Sequence, residues 1–263
     1  MLSFLGCGNM GGAILDGIVR GGVFSPEKIL VANRESEKNL SLKKKYGIGT
    51  TLEVSDLETC EIVILGIKPQ GLDALEFSPK KNAIVISLLV GTPVAKLQKK
   101  FPDARIVRTM PNLGQFAGRG MTGIFFAPDA TFSPDEKSKI LEIFSAGGKV
   151  LNLDSEEKID GIGAISGSGP AYFFQFAENL VSAAQKLGFS PEESEILIRQ
   201  TMLGAGEVAE NFSEISLGKW KKRVMSPGGT TEQAIRVFNE FHLEKIVDDA
   251  VAAAMKRTRE LSK

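Results

Sequence analysis

Up to Val150 the chain alternates short, almost wholly apolar runs with longer stretches of helical spacing. Residues 1–5 (MLSFL), 28–32 (KILVA), 62–67 (IVILGI) and 83–89 (AIVISLL) have strand length and little polar alternation. Strands look like this when helices cover both faces of a parallel sheet. Between them, Asn9–Arg20 reads as a helix stopped by Gly21-Gly22, and a Lys-rich helix ends near Tyr46. Arg105–Met110 and residues 121–127 predict two further strands. Ser133-Pro134-Asp135-Glu136 then opens a helix, with Ser as N-cap, Pro in the first turn and Glu closing a capping box. Strand–helix alternation of this kind predicts a doubly wound α/β fold.

Past Val150 the strand signals stop and helical spacing takes over, at residues 170–187, at Pro191–Asn211 and from Thr231 to the C-terminus. Ser190-Pro191-Glu192-Glu193 is a second capping box. The boundary falls near Asn152 to Ser155, dividing the chain into an α/β domain, 1–152, and an all-α domain, 153–263. The helix over 171–187 carries Tyr172, Phe173, Phe174, Phe176, Leu180 and Val181, more apolar surface than one stripe requires. It is either a central helix of its own domain or a helix shared with a second subunit. The second option is favoured, because a domain of this size has few other helices to cover it.

Composition narrows the chemistry. Of 263 residues, 43% are hydrophobic and 24% charged, with Lys+Arg and Asp+Glu balanced at 32 each. No net field selects nucleic acid or an anionic membrane, so neither is expected as a partner. Cys7, Cys60 and the single histidine, His242, are too few for a disulfide framework or a Cys/His zinc site, and no metal is expected. His242 falls in a charged helical stretch and reads as a surface or interface residue, which argues against a Ser-His-Asp hydrolase. The apolar start lacks a basic leader region, and no apolar run has membrane-spanning length. A cytoplasmic protein is expected.

Gly6-Cys7-Gly8-Asn9-Met10-Gly11 follows the first strand and opens the first helix. Gly6 permits a tight turn, Gly8 lets the backbone approach a pyrophosphate, and Gly11 allows helix and strand to pack closely. The amides at the helix start, Asn9 and Met10 among them, then face the phosphates. A strand–turn–helix setting of this kind points to a dinucleotide. The second strand ends in Ala32-Asn33-Arg34-Glu35-Ser36, not in the acidic residue that accepts from an NAD ribose. Arg34, with a donor from Asn33 or Ser36, suits a 2′-phosphate, so NADPH is preferred and NADH is the alternative. Cys7, between the glycines, reads as a small packed residue.

Four further segments resemble one family, the pyrroline-5-carboxylate reductases. They are Ile67-Lys68-Pro69-Gln70, Arg108-Thr109-Met110-Pro111-Asn112, Ser166-Gly167-Ser168-Gly169-Pro170-Ala171-Tyr172 and Ser226-Pro227-Gly228-Gly229-Thr230-Thr231. Their order and spacing behind the glycine motif are also similar, and the likeness runs essentially from end to end. The resemblance implies a Rossmann-type N-terminal domain followed by an all-α, substrate-binding and dimerising C-terminal domain. It implies reduction of L-1-pyrroline-5-carboxylate to L-proline, the last step of proline biosynthesis, by a homodimer that in the family often builds rings of dimers. By position, Gly66, Lys68, Pro69 and the turn at 88–90 would lie along the cofactor. Ser226, Gly228, Gly229, Thr230 and Thr231 would hold the substrate, with Glu156 a weaker candidate. Two departures stand out: Leu113-Gly114 where the family usually has Thr-Pro, and Glu232-Gln233 where an apolar and a small residue are usual. The first bears on substrate range more than on reaction type.

The chemistry implied is hydride transfer to an imine carbon with protonation at nitrogen. An imine nitrogen is basic enough to arrive partly protonated, so the lack of a motif histidine is no obstacle, and the protein's work is positioning. Pro227 stiffens the entry to a glycine-rich turn that leads into a helix, a favourable end for a carboxylate. Thr231 is the first candidate for the residue at the ring nitrogen. Thr230 with Gln233 also spells a capping box, which would make its hydroxyl purely structural. Lys68 is a general acid or a cofactor-lining residue. Two other readings stay open. A hydroxyacid or other imine reductase of the same architecture would place a lysine early on the long helix, where this chain has none before Lys186. A non-catalytic nucleotide-binding protein would bind NADPH without turnover.

Overall fold

A computed structural model describes residues 1–261. Its sheet contains β1 (Leu2–Leu5), β2 (Ile29–Ala32), β3 (Gly49–Thr51), β4 (Ile62–Leu65), β5 (Ile84–Ser87), β6 (Arg105–Met110), β7 (Gly120–Phe126) and β8 (Gly148–Asn152), in the order β3-β2-β1-β4-β5-β6-β7-β8. The intervening helices are α1 (Asn9–Arg20), α2 (Ser36–Tyr46), α3 (Val94–Lys100) and α4 (Pro134–Ser145). β1 pairs in parallel with β2 on one side and β4 on the other, Leu5 lying opposite Ala32 and Leu65. The strand order therefore reverses at β1, and the crevice beyond its carboxyl end is where such sheets bind nucleotides. Only β6 and β7 run antiparallel.

Alternate residues of the central strands feed two cores. Phe4, Val31, Ile64, Ile86 and Val107 pack with Ile14, Leu15 and Ile18 of α1 and with Ile140 and Phe144 of α4. Leu5, Val63, Leu65, Val85 and Ile106 pack with Leu97 and Phe101 on the other face. Burial of each such side chain contributes about 1.5–3 kcal/mol, which explains why the apolar runs located these strands correctly. β3 and β8, by contrast, are edge strands that the pattern did not announce. Lys149, Leu151 and Asn152 of β8 are exposed, so no apolar run marks it.

After β8 come α5 (Glu157–Ile162), a wide π-type turn at Gly163–Gly167, α6 (Gly169–Lys186), α7 (Pro191–Asn211), α8 (Leu217–Val224), α9 (Thr230–Glu240) and α10 (Leu243–Leu261). Packing separates two compact units: Met1–Pro170 with the end of the chain from Ala254, and Ala171–Ala253. The strands end where the sequence suggested, but α5 stays with the sheet because Ile159 packs on Met110, Phe125 and Leu153.

Within the helical unit the single helix expected from Thr231 is two. The break is at His242, whose backbone is left-handed (φ 54°) and whose amide bonds back to Asn239. The short, basic α8 was also missed; its one signal was Ser216, which caps Lys219. Phe173 and Phe174 of α6 remain 69% and 52% exposed, so α6 is not a helix buried within its own unit.

Candidate active site

The glycine loop after β1 is shaped by contacts that differ from residue to residue. Gly6 is left-handed (φ 81°) and its amide reaches the Ala32 carbonyl at 2.9 Å. A Cβ on Gly11 would touch the Gly6 oxygen at 3.4 Å and Phe4 at 3.8 Å, the close helix–strand approach expected. A Cβ on Gly66, at the end of β4, would drive into the Gly6 carbonyl. Gly8 is different: it is the N-cap of α1, and a Cβ there would meet nothing within 4 Å. The protein itself therefore has no need of glycine at this position, whereas a ligand approaching the backbone does. No side chain caps α1 and no acidic residue stands in its first turn. The amides of Asn9, Met10 and Gly11 thus present an uncompensated positive helix end, which fits a dinucleotide pyrophosphate.

Asn33 serves the loop from behind. Its Oδ1 accepts from the Cys7 amide at 2.7 Å, and its Nδ2 donates to Asn39 Oδ1 at 3.0 Å. Asn39 in turn donates to the Thr51 carbonyl at 2.7 Å. Asn33 thus braces β1 against β2 and β3, while Arg34 and Ser36, expected beside it at a 2′-phosphate, are both exposed. Lys38 on α2, not singled out from the sequence, lies near enough for its charge to act on Cys7. Burial pushes that thiol up to about 12, with Lys38 pulling weakly the other way. Cys7 is a packed neutral thiol, not a nucleophile.

The loops beyond β4 and β5 complete this side. Lys68 is exposed and leads into a tight turn at Pro69–Gly71. After β5, the Leu88 amide bonds to the Leu65 carbonyl at 3.1 Å. Gly91 is left-handed, and a Cβ there would meet the Thr258 carbonyl at 3.0 Å. The last turns of α10 therefore pack on the turn that follows β5.

Arg108 is 3% exposed and pairs with Glu156 Oε1 at 2.7 Å and Asp160 at 3.0 Å. The same Glu156 oxygen accepts from the Val94 amide at 2.7 Å and so caps α3. Through this oxygen Glu156, expected as a weaker substrate contact, holds β6, α3 and α5 together. Asn112 Oδ1 accepts from the Gly114 and Met121 amides at 3.1 and 3.0 Å, while its Nδ2 donates to Ser166 at 3.1 Å. A Cβ on Gly114 would stand 2.6 Å from the Arg119 carbonyl, and proline there would lack the bonded N–H. Leu113-Gly114 thus belongs to a turn that this chain builds differently from Thr-Pro.

In the helical unit, the Gly229 amide closes a turn onto the Ser226 carbonyl at 2.8 Å, and Gly228 is left-handed (φ 73°). Gly229 is the N-cap of α9 and no side chain caps it. The Thr230–Gln233 capping box is not formed. Instead Glu232 reaches back, its Oε2 accepting from the Gly228 amide at 2.7 Å. Thr231 is half-buried, while Ser226 and Thr230 are exposed. Among the described residues no cluster of His, Cys, Asp and Glu is suited to a metal ion, and no helix is long and apolar enough to cross a membrane.

Residues 156–261 match the family model described as pyrroline-5-carboxylate reductase dimerisation, and residues 1–91 match that of NADP oxidoreductase, coenzyme F420-dependent. The chain is 35% identical to a pyrroline-5-carboxylate reductase of Vibrio alginolyticus, over all of this chain and 97% of that one. Its fold is similar to the solved structure of a pyrroline-5-carboxylate reductase from Coxiella burnetii, with TM-score 0.90, 38% identity and coverage of 100% and 98%. It is also similar to a Plasmodium falciparum pyrroline carboxylate reductase solved with NADP bound, with TM-score 0.82, 25% identity and the same coverage. Likeness of this degree from end to end, over the nucleotide-binding sheet and the helical region alike, means that the chain belongs to the pyrroline-5-carboxylate reductase family.

Proposed function

We infer that the protein is an NAD(P)H-dependent pyrroline-5-carboxylate reductase, reducing the C=N bond of L-1-pyrroline-5-carboxylate to give L-proline. The observation that carries this reading is the family likeness over the entire chain. Either part alone would leave only a nucleotide-binding or a self-associating protein.

Gly6, Gly8, Asn9, Met10 and Gly11 hold the pyrophosphate, with Asn33 as the brace. Gly66, Lys68 and Pro69 border the cofactor. Arg34, with Lys38 near it, favours a 2′-phosphate, so NADPH is the preferred carrier and NADH is also accepted. Bound NAD(P)H supplies the hydride that the imine carbon accepts. The residues of 226–231 orient the ring that receives it. Since the Gly228 and Gly229 amides are already bonded, the substrate carboxylate falls to the first-turn amides of α9 and the hydroxyls of Ser226 and Thr230. Thr231 bonds the ring nitrogen, which takes its proton from water before or during transfer. The only histidine stands exposed at the α9–α10 break and has no part in this.

The dimerisation model and the exposed aromatic face of α6 support self-association. The finer assignments are a homodimer that joins into a ring of dimers, a cytoplasmic site of action, a role as the last step of proline biosynthesis, and a division of labour between 1–152 and 153–263.

NADPH absorbance followed with L-1-pyrroline-5-carboxylate, wild type beside Thr231→Ala, tests the reading. Turnover that collapses in the variant while NADPH still binds supports the reaction and the role of Thr231. Unchanged turnover removes Thr231 from that role. No turnover by wild type with either NADPH or NADH would overturn the assignment.

A further inference from the structure

The loop assigned to the substrate carboxylate already holds a carboxylate of its own. Glu232 stands in the first turn of α9, and its Oε2 accepts from the Gly228 amide at 2.7 Å. Gly228 can point its amide this way because its backbone is left-handed (φ 73°), and a Cβ there would meet nothing within 4 Å. The contact seals the residue before the N-cap and leaves the amides of Thr230 and Thr231 without a side-chain cap. A unit negative charge is thereby fixed at the positive end of α9. The chain leading into this loop is otherwise cationic, with Lys219, Lys221, Lys222 and Arg223 on α8.

We propose that Glu232 is a specificity-determining residue that sets the enzyme's affinity for its anionic substrate, a resident carboxylate competing with the incoming one at the start of α9. The proposal rests on the reading that 226–231 hold the substrate carboxylate. Two carboxylates at one helix end repel each other, and the favourable field of the end is shared between them. The substrate either displaces Glu232 from Gly228 or binds beside its charge. In both cases the ground-state affinity is lowered, while the groups around the imine stay in place.

Glu232→Gln separates charge from shape, because the amide oxygen still accepts from the Gly228 N–H. Two unit charges about 4 Å apart in water interact by about 1 kcal/mol, so KM for L-1-pyrroline-5-carboxylate falls roughly fivefold. The change appears in KM and not in kcat, and inhibition by L-proline tightens in parallel. The gap between wild type and variant narrows as salt is raised, since screening weakens the repulsion in wild type. A purely structural clamp moves none of these. Glu232→Asp keeps the charge but is too short to reach Gly228, so its KM stays at or above the wild-type value. Circular dichroism and thermal melts establish that each variant is folded.

A folded Glu232→Gln enzyme with unchanged or raised KM would overturn the proposal. Thr231→Ala run alongside tells the two failures apart. If Thr231→Ala impairs turnover while Glu232→Gln changes nothing, only the role of Glu232 is lost. If neither variant alters KM or kcat, the loop is not the substrate site, and both readings fall.

Discussion

Alanine at Gly8 and alanine at Gly66 have opposite expected effects, although both glycines border the same loop. At Gly66 the new Cβ enters the Gly6 carbonyl, a backbone group with no freedom to swing aside. Either the end of β4 or the phosphate loop must move. Overpacking of this kind costs about 1–3 kcal/mol, and at roughly 2–4 °C per kcal/mol it lowers the melting temperature by several degrees. The moving parts carry the cofactor amides, so NADPH affinity falls as well. At Gly8 the backbone is extended (φ −73°) and the Cβ has open space. Alanine is a poorer N-cap than glycine by roughly 0.5–1 kcal/mol, a cost largely offset by the lower entropy of the unfolded chain, and melting stays within about 2 °C. With the pyrophosphate bound as proposed, the methyl nevertheless stands in its line of approach. Losing one charge-assisted hydrogen bond, about 1.5–3 kcal/mol, weakens NADPH roughly 10- to 150-fold. Thermal melts without ligand and fluorescence titrations with NADPH separate the cases. A Gly8→Ala protein that melts early, or that binds NADPH as wild type does, would refute the argument that a ligand and not the fold demands this glycine.

Other expectations follow from the charges and the exposed face. Arg108→Met strands the carboxylates of Glu156 and Asp160, which are 29% and 23% exposed, and costs about 3 kcal/mol in urea unfolding; an unchanged midpoint would dismiss the ion pair as a structural anchor. The Arg105 guanidinium holds the Glu136 carboxyl at about 2, well below the ordinary 4.5 of a glutamate. Because the folded pKa is depressed, the stabilisation is present above pH 4.5 and is lost as pH falls through about 2. Wild type should therefore exceed Arg105→Ala in stability above that window and converge with it inside, as pH-dependent melts will show. Phe173→Glu charges an exposed ring of α6 and should reduce self-association in light scattering, and an unaltered mass would place the interface elsewhere.

The parts of the fold legible in the sequence are those where one residue's chemistry had one structural solution. Runs such as Ile62 to Leu65 bury on both faces and allow nothing but an interior strand. Ser133-Pro134-Asp135-Glu136 forms the capping box it spells, and so does Ser190-Pro191-Glu192-Glu193. Thr230 with Gln233 spells one too, yet forms none, because Glu232 reaches Gly228 from a neighbouring position and Gly229 becomes the cap. Local patterns overlap there, and only the backbone shows which is used. β8 was hidden because an edge strand need not be apolar, and the break at His242 was hidden because a left-handed histidine has no sequence signature of its own. At the nucleotide loop the glycines were legible but the partner of Asn33 was not. Asn39 lies a turn into the next helix, and the hydrogen bond that takes up Asn33 is tertiary.

The helix starts offer a further argument about where anions bind. α4, α7 and α8 begin with Ser133, Ser190 and Ser216, whose hydroxyls satisfy a first-turn amide. α3 has no capping side chain of its own, but Glu156 takes its Val94 amide. α2 and α5 carry acidic residues in the first turn, Glu37 in one and Glu157 in the other. α1 has neither a cap nor an acid. A serine in place of such a glycine would add only a few tenths of a kcal/mol, so stability hardly opposes capping, whereas a capped end has fewer amides to offer a phosphate. A ligand that binds only the folded state offsets the deficit, contributing about 2.7 kcal/mol at a hundred times its Kd. α9 stands between these cases: glycine-capped like α1, but with Glu232 satisfying the amide just outside the helix while Thr230 and Thr231 remain uncapped. Among these helix starts α1 is thus the one left with neither cap nor acid, and α9 keeps only its first-turn amides uncapped.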